Sequence, residues 1–392
     1  MDKTPCPAPD TAMDLNARYP AISDLRRAAR RRLPRFVWEY LDSGTGAESA
    51  QARNRAALDR VLFEPPVLRG EIAADLSTDF LGQAHALPVG IAPVGMSGLI
   101  RPGAETTLAR TAATAGIPYS LSTVATAAPE EVGPHLGPAG WFQLYPPRDP
   151  EIRRDMLARS RDAGFTGLVL TVDVPVASRR ERILRSGLTQ PPRLTPRVAL
   201  QCAIRPTWAL QRLRHGMPHM ATLDPYSRDM ESRDPTAHIG YLLRTAPDWD
   251  YLHWLRDHWQ GHLIVKGVLR GGDASRIEEA GVDAIWISNH AGRQFDGGPA
   301  AIDALPRVRA ATDLPLIFDS GIEGGLDILR AMALGADFTM LGRAFHYALS
   351  ALGEAGPAHL VEILKRDLIA NLGQLGLARP GDVRGLALSL DG

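Results

Sequence analysis

Eight short, nearly continuous apolar runs recur along the chain, and each ends in polar residues. They occupy 88–93, 119–123, 141–145, 168–173, 263–268, 284–290, 316–321 and 338–343. Four of them follow a helical pattern that ends in a glycine, at Gly116, Gly164, Gly281 and Gly335. Apolar runs without alternation are typical of strands buried on both faces, as in parallel sheets. Eight such strands alternating with helices predict an α/β fold, a (β/α)8 TIM barrel rather than an open Rossmann sheet.

The same repeat predicts the domain organisation. Length alone, 392 residues, suggests two or three average domains, but a barrel accounts for the chain as a single domain, 1–392. We place an N-terminal helical extension at 15–86, the barrel at 87–350 and a C-terminal helical tail at 351–392. Residues 174–247, after the fourth barrel strand, are too long for an ordinary βα connection and predict a long loop insertion.

Composition and charge restrict the classes of partner. Forty-four basic residues balance 44 acidic ones, so we expect no nucleic-acid partner. Two cysteines, Cys6 and Cys202, give neither a disulfide framework nor a zinc pattern and indicate a reducing compartment. Residues 1–14 are polar and proline-rich, and no apolar run reaches membrane-spanning length. We therefore expect a cytoplasmic protein.

One stretch of the insertion, residues 204–220, carries apolar residues among arginines. A basic amphipathic stretch of this kind can touch a membrane surface, which would place the protein peripherally on the inner face of the cell membrane. The more common alternative is a surface helix packed on its own protein.

Active-site groups of a TIM barrel lie at the C-terminal ends of its strands. Polar groups follow at least five of the predicted strands, namely Gln143, Tyr145, Thr171, Asp173, Lys266, Ser288, His290, Asp319, Gly342 and Arg343. Any single one of them is as well explained by a solvated strand end, but their joint occurrence predicts a site. Lys266 is notable because the chain uses arginine for nearly all of its basic residues.

The strongest local pattern is Ser-Asn-His-Ala-Gly-Arg-Gln-Phe-Asp at 288–296. A histidine at a strand end, followed three residues later by an arginine, can place a base and a carboxylate-binding group around one small substrate. Asp173 could orient the His290 imidazole and stabilise its protonated form. No second His or Cys stands at ligand spacing, so we predict no metal site.

This pattern resembles the Ser-Asn-His-Gly-Gly-Arg-Gln motif of the FMN-dependent 2-hydroxy acid oxidases and dehydrogenases, and differs only at Ala291. The resemblance extends over residues 18–380, with ordered matches at 33–40, 92–95, 121–123, 142–145, 170–173, 265–267, 319–321 and 341–343. It is strongest to the bacterial respiratory L-lactate dehydrogenases, through 92–95, 121–124 and 341–345.

The resemblance implies an FMN cofactor over the barrel mouth. It assigns the flavin ring to Ala92, Pro93, Val94, Gly95, Ser122, Gln143, Thr171 and Ser288, with Lys266 facing N1 and O2. A fixed cation there would stabilise the charge that gathers in the reduced flavin. The ribityl chain and phosphate are assigned to Asp319, Gly321, Gly342 and Arg343.

The resemblance also assigns the substrate, an L-2-hydroxy acid. Arg293 would bind its carboxylate bidentately, Tyr40 would add a hydrogen bond, and Arg180 matches a second family arginine. Tyr145 would bind the 2-oxygen.

His290 would be the general base, supported by Asp173. It takes either the Cα proton, which leaves a carbanion, or the hydroxyl proton while a hydride passes to the flavin, and the sequence leaves both routes open.

Four positions differ from residues that are common in the family or in part of it. Val124 replaces an aromatic residue of short-chain oxidases and favours lactate or a longer 2-hydroxy acid over glycolate. Gly95 stands where many oxygen-using relatives carry alanine, which favours a quinone or another electron carrier over oxygen. Glu323 replaces an arginine that contacts the FMN phosphate in the family. Ala291 adds a methyl group beside the catalytic histidine, and we expect it to be tolerated.

Three alternatives stay open. The first is an oxygen-using oxidase that produces peroxide. The second is a flavin-binding barrel without turnover, which the replacement of the family arginine by Glu323 suggests. The third is another FMN barrel enzyme, such as an isomerase. Relatives are commonly tetramers, so the resemblance also implies a homo-oligomer.

Overall fold

Eight parallel strands close into a barrel in the computed structural model, which describes residues 14–188, 195–226 and 246–388. The barrel strands are β3 (Val89–Ile91), β4 (Tyr119–Ser122), β5 (Gly140–Leu144), β6 (Gly167–Thr171), β7 (His262–Val268), β8 (Ala284–Ile287), β9 (Leu316–Phe318) and β10 (Phe338–Leu341). Each strand pairs with the next along the chain, and β10 pairs with β3 to close the barrel. All eight predicted strands are present, so the predicted TIM barrel is confirmed.

Helices surround the barrel and precede and follow it. Before it lie α1 (Leu15–Arg18), α2 (Ile22–Arg32), α3 (Arg35–Asp42) and α4 (Ser49–Asp59). Between its strands lie α5 (Ser97–Ile100), α6 (Ala104–Ala115), α7 (Pro129–Val132), α8 (Pro150–Asp162), α9 (Glu181–Ser186), α10 (Pro196–Ala203), α11 (Pro206–His215), α12 (Trp249–His258), α13 (Gly271–Glu279), α14 (Ala301–Arg309) and α15 (Gly325–Ala333). After β10 follow α16 (Arg343–Leu352) and α17 (Ala355–Leu375). Short 3-10 turns occupy Gly133–His135, Asp224–Tyr226, His290–Gly292 and Pro380–Val383.

The barrel interior is a packed core that is closed at its N-terminal end. Trp141, Trp286, Phe338 and their neighbours form one buried cluster inside the strands. A hairpin of β1 (Thr78–Phe80) and β2 (Gln83–His85) adds Phe80, whose ring stacks on Phe338 with centroids 4.9 Å apart. Because the hairpin covers this end, the C-terminal ends of the strands are left to form a site.

The insertion after β6 carries helices of its own and is not only a loop. Trp208 of α11 is buried, donates a hydrogen bond from Nε1 to the Leu99 carbonyl at 2.9 Å, and meets the Phe36 ring edge-on. This stretch therefore packs on its own protein, as the second interpretation of 204–220 expected. Leu213 on the same helix is 81% exposed. Part of the predicted 174–247 insertion, residues 189–194 and 227–245, lies outside the described residues.

The N-terminal extension reaches the C-terminal end of the barrel, where α2 and α3 pack against α16. In the described part of the chain, no helix is both long and apolar enough to span a bilayer. The division into extension, barrel and tail stays a prediction; residues 1–13 and 389–392, at the two ends of that division, lie outside the described residues.

Candidate active site

A cavity of about 440 Å³ opens at the C-terminal ends of the barrel strands. The predicted site residues that line it are Tyr40, Ala92, Pro93, Val94, Gly95, Ser122, Gln143, Tyr145, Thr171, Arg180, Lys266, His290, Arg293, Asp319, Gly321, Gly342 and Arg343. Two predicted residues, Asp173 and Ser288, lie behind this lining, and each is bonded to a residue that reaches the cavity.

Three polar side chains form a buried row across the ends of β4, β5 and β6. Ser122 Oγ donates to Gln143 Oε1 at 3.0 Å, and Gln143 Nε2 donates to Thr171 Oγ1 at 3.0 Å. All three residues are buried and line the cavity. Such a row of alternating donors and acceptors suits the edge of a heterocyclic ring that carries both nitrogen and oxygen atoms.

Lys266 places a buried cation beside this row. Its Nζ donates to Ser288 Oγ at 2.7 Å, lies 3.0 Å from Asp319 Oδ2, and stands 5.0 Å from the centroid of the Trp286 ring. A buried ion pair of this kind is costly to desolvate. Lys266 lies at the wall of the cavity, where its charge can reach a bound ligand.

His290 and Asp173 form a hydrogen-bonded pair next to Lys266. His290 Nδ1 lies 3.1 Å from Asp173 Oδ1. Burial raises the pKa of Asp173, but its interaction and hydrogen bond with His290, together with the charge of Lys266, outweigh burial and hold this pKa below its ordinary value. Burial lowers the pKa of His290 below 6.5 although Asp173 acts in the opposite direction. An ionised carboxylate only accepts hydrogen bonds, so Nδ1 carries the proton. Nε2 of the neutral ring has no partner among the residues that the structure describes and can accept a hydrogen bond.

The backbone at His290 is held in an unusual conformation. His290, Ala291 and Gly292 have φ of 55°, 54° and 71°, three successive left-handed residues. The Ser320 hydroxyl accepts a hydrogen bond from the Ala291 amide at 3.1 Å, and the Ser288 hydroxyl accepts one from the His290 amide at 3.0 Å. The left-handed conformation costs a non-glycine residue roughly 1–2 kcal/mol. Ala291 therefore carries strain at a position where the family motif has glycine, and these contacts offset it.

Arg293 is partly buried and donates hydrogen bonds to backbone carbonyls. Nη1 donates to the carbonyl oxygens of Leu41 at 2.7 Å and Ser43 at 3.1 Å, and Nη2 donates to that of Tyr40 at 2.7 Å. A guanidinium has five N–H donors. The Nε–H and one Nη2–H therefore remain, without an acceptor among the residues that the structure describes. These two neighbouring donors form the fork that binds a carboxylate bidentately.

The charge around Arg293 also favours an anion. Burial, followed by the positive charges of Arg180 and Arg343, lowers the pKa of Arg293 to about 9. Arg180 lines the same cavity, and its Nε donates to Ser178 Oγ at 3.2 Å. Since the cations repel one another, a bound carboxylate relieves a real electrostatic cost.

Two tyrosines complete this part of the cavity. The Tyr40 hydroxyl donates to the Gly95 carbonyl at 3.0 Å. Burial, and then the Asp173 carboxylate, raise the pKa of Tyr145 well above its ordinary value, so its hydroxyl stays neutral and can donate. Gly95 leaves no room for a side chain, since an added Cβ would lie 2.4 Å from Val124 Cγ2.

Other residues that the sequence did not single out for the site also line the cavity, among them Ser320, Arg26 and Tyr347. Ser320 follows Asp319 at a strand end, a signal that could have identified it. Arg26 and Tyr347 come from α2 and α16, and no local pattern in the sequence indicates that these helices meet over the barrel.

Comparison with known proteins identifies the family. A model of the FMN-dependent dehydrogenase family matches residues 29–389. The chain belongs to this family.

An L-lactate dehydrogenase of Stenotrophomonas maltophilia is 39% identical over 367 residues, which cover 93% of this chain and 97% of the relative. One of Chromohalobacter salexigens is 39% identical over 352 residues, covering 89% and 90% of the two chains. The predicted resemblance is therefore confirmed. The protein is an FMN-dependent oxidoreductase of the 2-hydroxy acid dehydrogenase and oxidase family.

Solved structures give the same fold. The monotopic membrane protein (S)-mandelate dehydrogenase superposes with a TM-score of 0.88 at 33% identity and covers 94% of this chain and 98% of its own. A mandelate oxidase superposes with a TM-score of 0.80 at 33% identity, covering 94% and 97%.

The residues of the cavity fit FMN. The row of Ser122, Gln143 and Thr171 offers hydrogen bonds to a ring edge, and Lys266 offers a cation beside it. At the other end of the cavity Gly342 precedes helix α16 and Arg343 begins it. The N-terminus of a helix with an adjacent arginine is suited to bind a phosphate.

Replacing Asp173 by asparagine tests the electrostatics of the His290 pair. Because Asp173 raises the pKa of His290 against the effect of burial, we expect Asp173→Asn to lower that pKa further. An NMR titration of the His290 ring measures it. Asp257→Asn, an exposed carboxylate on α12, is the matched control and leaves this pKa unchanged. A pKa of His290 that rises in Asp173→Asn would contradict the described pair.

Proposed function

We propose that this protein oxidises an L-2-hydroxy acid, L-lactate first of all, to the 2-oxo acid and passes the electrons to a quinone or another carrier. One observation carries the proposal: the free Nε2 of His290 and the two free donors of Arg293 belong to one cavity, beside Lys266. A base and a carboxylate-binding fork in one cavity match a small hydroxy acid. The names of the L-lactate dehydrogenase relatives support lactate.

The carboxylate of the substrate binds to the remaining fork of Arg293, with Arg180 as a second cation. Tyr40 and Tyr145 both line the cavity. Tyr40 donates to this carboxylate once its hydroxyl hydrogen turns away from the Gly95 carbonyl, and Tyr145 donates to the 2-oxygen. Because three carbonyls fix the Arg293 guanidinium before substrate arrives, little conformational entropy is lost on binding.

His290 takes a proton from the bound substrate at Nε2. The ring is neutral at neutral pH because burial lowers its pKa, so the base is ready without a prior deprotonation. Asp173 fixes the tautomer and stabilises the charge that His290 acquires. Removal of the Cα proton or of the hydroxyl proton both fit this geometry.

FMN, when bound, supplies the acceptor for the two electrons that leave the substrate. Ser122, Gln143, Thr171 and the backbone at 92–95 would hold its ring, and Arg343 with the start of α16 its phosphate. Lys266, fixed by Ser288 and Asp319, would place a positive charge against the ring.

Two residues of the cavity, Val124 and Gly95, support the proposed substrate and the proposed electron acceptor. Val124 contributes a small side chain to the cavity, which leaves room for lactate or a longer hydroxy acid. Glycine at position 95 favours a quinone or another electron carrier over oxygen as the acceptor. Val124 lies too close to Gly95 for a larger residue at that position unless Val124 moves. An oxygen-using oxidase and a barrel without turnover are the alternatives. The homotetramer stays a prediction.

An anaerobic titration tests the proposed reaction. We expect L-lactate to bleach the flavin absorbance of the purified protein and air to restore it slowly. His290→Gln should keep its flavin colour and lose at least about a hundredfold in reduction rate, since general base catalysis contributes roughly 10²–10⁴-fold.

Other results would change the proposal. His290→Gln that is reduced at the wild-type rate would show that His290 is not the base. Rapid peroxide formation in air would favour the oxidase. Wild-type protein that binds FMN and is reduced by none of L-lactate, glycolate or (S)-mandelate would favour a barrel without turnover.

We also propose peripheral contact with an anionic bilayer through the insertion. Leu210 and Leu213 on α11, with Met217 after it, are exposed, and Arg205 and Arg214 flank them. Exposed leucines among arginines suit the boundary between lipid headgroups and acyl chains. The match to a monotopic membrane (S)-mandelate dehydrogenase supports the same placement.

Vesicle sedimentation tests this contact. We expect the protein to co-sediment with vesicles that contain phosphatidylglycerol. Leu213→Asp should weaken binding roughly tenfold or more, because burying a leucine is worth about 1.5–3 kcal/mol. Leu68→Asp, a fully exposed leucine outside the insertion, is the matched control. Equal binding of Leu213→Asp and wild type would refute α11 as the contact.

A further inference from the structure

The phosphate end of the cavity contains an unexpected carboxylate. Glu323 lines it together with Arg343, at a position where the family resemblance implies a phosphate-binding arginine. Taken alone, glutamate at position 323 puts a negative charge in place of a positive one, close to where the negatively charged phosphate of FMN would bind. A second cation from elsewhere in the chain would restore the balance.

Arg55 lines the same end but cannot supply that cation. Its Nε and Nη2 donate to Asp59, its Nη1 and Nη2 donate to Asp327, and Nη1 also donates to the Gly321 carbonyl. All five donors of this guanidinium are therefore committed to the protein.

Arg26 of α2 has hydrogen-bond donors that are not used by the described residues. Its Nε and Nη2 lie 2.8 Å from Asp42 Oδ1, and the side chain is 46% exposed at the cavity lining. Both hydrogens of Nη1 and one of Nη2 have no acceptor among the described residues. The pKa of Arg26 is lowered by burial, but Asp42 and, more weakly, Tyr347 and Glu323 raise it above its ordinary value, so Glu323 acts on this cation.

Asp42 brings Arg26 and Arg343 to the same place. Arg26 binds the Asp42 carboxylate, and Arg343 Nη1 donates to the Asp42 carbonyl at 3.3 Å. Tyr347 of α16 also donates to Asp42 Oδ1 at 2.9 Å. Burial raises the pKa of Asp42, but Arg26, Tyr347 and Arg343 outweigh it and hold it below its ordinary value. Because Asp42 is 3% exposed, it is a rigid anchor for both arginines.

We propose that Arg26 binds the phosphate of FMN together with Arg343 and takes the place of the arginine that Glu323 replaces. Helix α2 is then part of the cofactor site, and Ser23, one turn earlier on the cavity side, adds a hydroxyl group to it. This inference rests on the proposed placement of FMN, and it assigns to the N-terminal extension a role that the barrel strands alone do not provide.

Flavin affinity tests the proposal independently of turnover. FMN and riboflavin share the ring and the ribityl chain, and only FMN carries a phosphate. The full-length protein, freed of flavin, is titrated with each of them while the quenching of flavin fluorescence is followed. Arg26→Ala should raise the Kd of FMN at least tenfold, or about 1.4 kcal/mol. The Kd of riboflavin should stay within about twofold.

Arg27→Ala is the matched control. Arg27 is the next residue of α2, is exposed, pairs with Asp24 and does not line the cavity. We expect it to change neither affinity. An FMN affinity that is unchanged in Arg26→Ala would overturn the proposal. Equal weakening of both flavins would overturn it too, since Arg26 would then act through the fold and not on the phosphate.

A double variant gives a second test. Glu323→Arg returns a cation to the position that the family resemblance implies, so in the Arg26→Ala background it should restore FMN affinity. A double variant as weak as Arg26→Ala would contradict the charge argument. Neither titration needs a hydroxy acid, so a failure of lactate oxidation is distinguishable from a failure of this proposal.

Discussion

Arg293 donates hydrogen bonds to the carbonyl oxygens of Tyr40, Leu41 and Ser43, and this partly buried contact joins two parts of the molecule that are far apart in sequence. The carbonyls belong to the C-terminal end of α3 and the residue after it, and the arginine follows β8. The unpaired carbonyls of a helix end attract a cation. The arrangement fixes the guanidinium, closes the cavity with the N-terminal extension, and leaves one fork of donors for a ligand.

Cations outnumber carboxylates along the cavity lining. Lys266, Arg293 and Arg343 reach the cavity, as do Asp319 and Glu323, whereas the Asp173 carboxylate lies behind His290. Cations at the surface of the cavity attract anionic ligands, namely a hydroxy acid at one end and a phosphate at the other. Burial, with smaller contributions from the charges of Lys266 and Arg180, lowers the pKa of His290 and keeps the ring neutral, while Asp173 limits that decrease. One set of charges thus serves both binding and proton transfer.

The strands and their ends could be predicted from the sequence because each depends on local pattern. Runs such as 168–173 are apolar without alternation, and polar residues near the ends of several runs line the cavity, as Thr171 and Lys266 do. The same logic placed His290 and Arg293 in one cavity. The roles of these residues in catalysis stay predictions until the variants are measured.

The features that could not be predicted from the sequence depend on contacts between elements that are far apart in the chain. Phe80 covers the N-terminal end of the barrel from a three-residue strand that has no periodicity to detect. Arg26 and Tyr347 meet at Asp42 because α2 packs on α16, which no local pattern encodes. The left-handed conformation of Ala291 is likewise stabilised by a hydrogen bond to the Ser320 hydroxyl, which lies 29 residues away in the chain.

The central claim is that the free fork of Arg293 binds the substrate carboxylate in front of His290. Rapid mixing of Arg293→Lys with L-lactate under anaerobic conditions measures this most directly, because it gives both the apparent Kd for lactate and the limiting rate of flavin reduction. Lysine keeps the charge and loses the fork. The account predicts an apparent Kd at least tenfold weaker, about 1.4 kcal/mol, with FMN still bound. An unchanged Kd would contradict it and remove Arg293 from the substrate site.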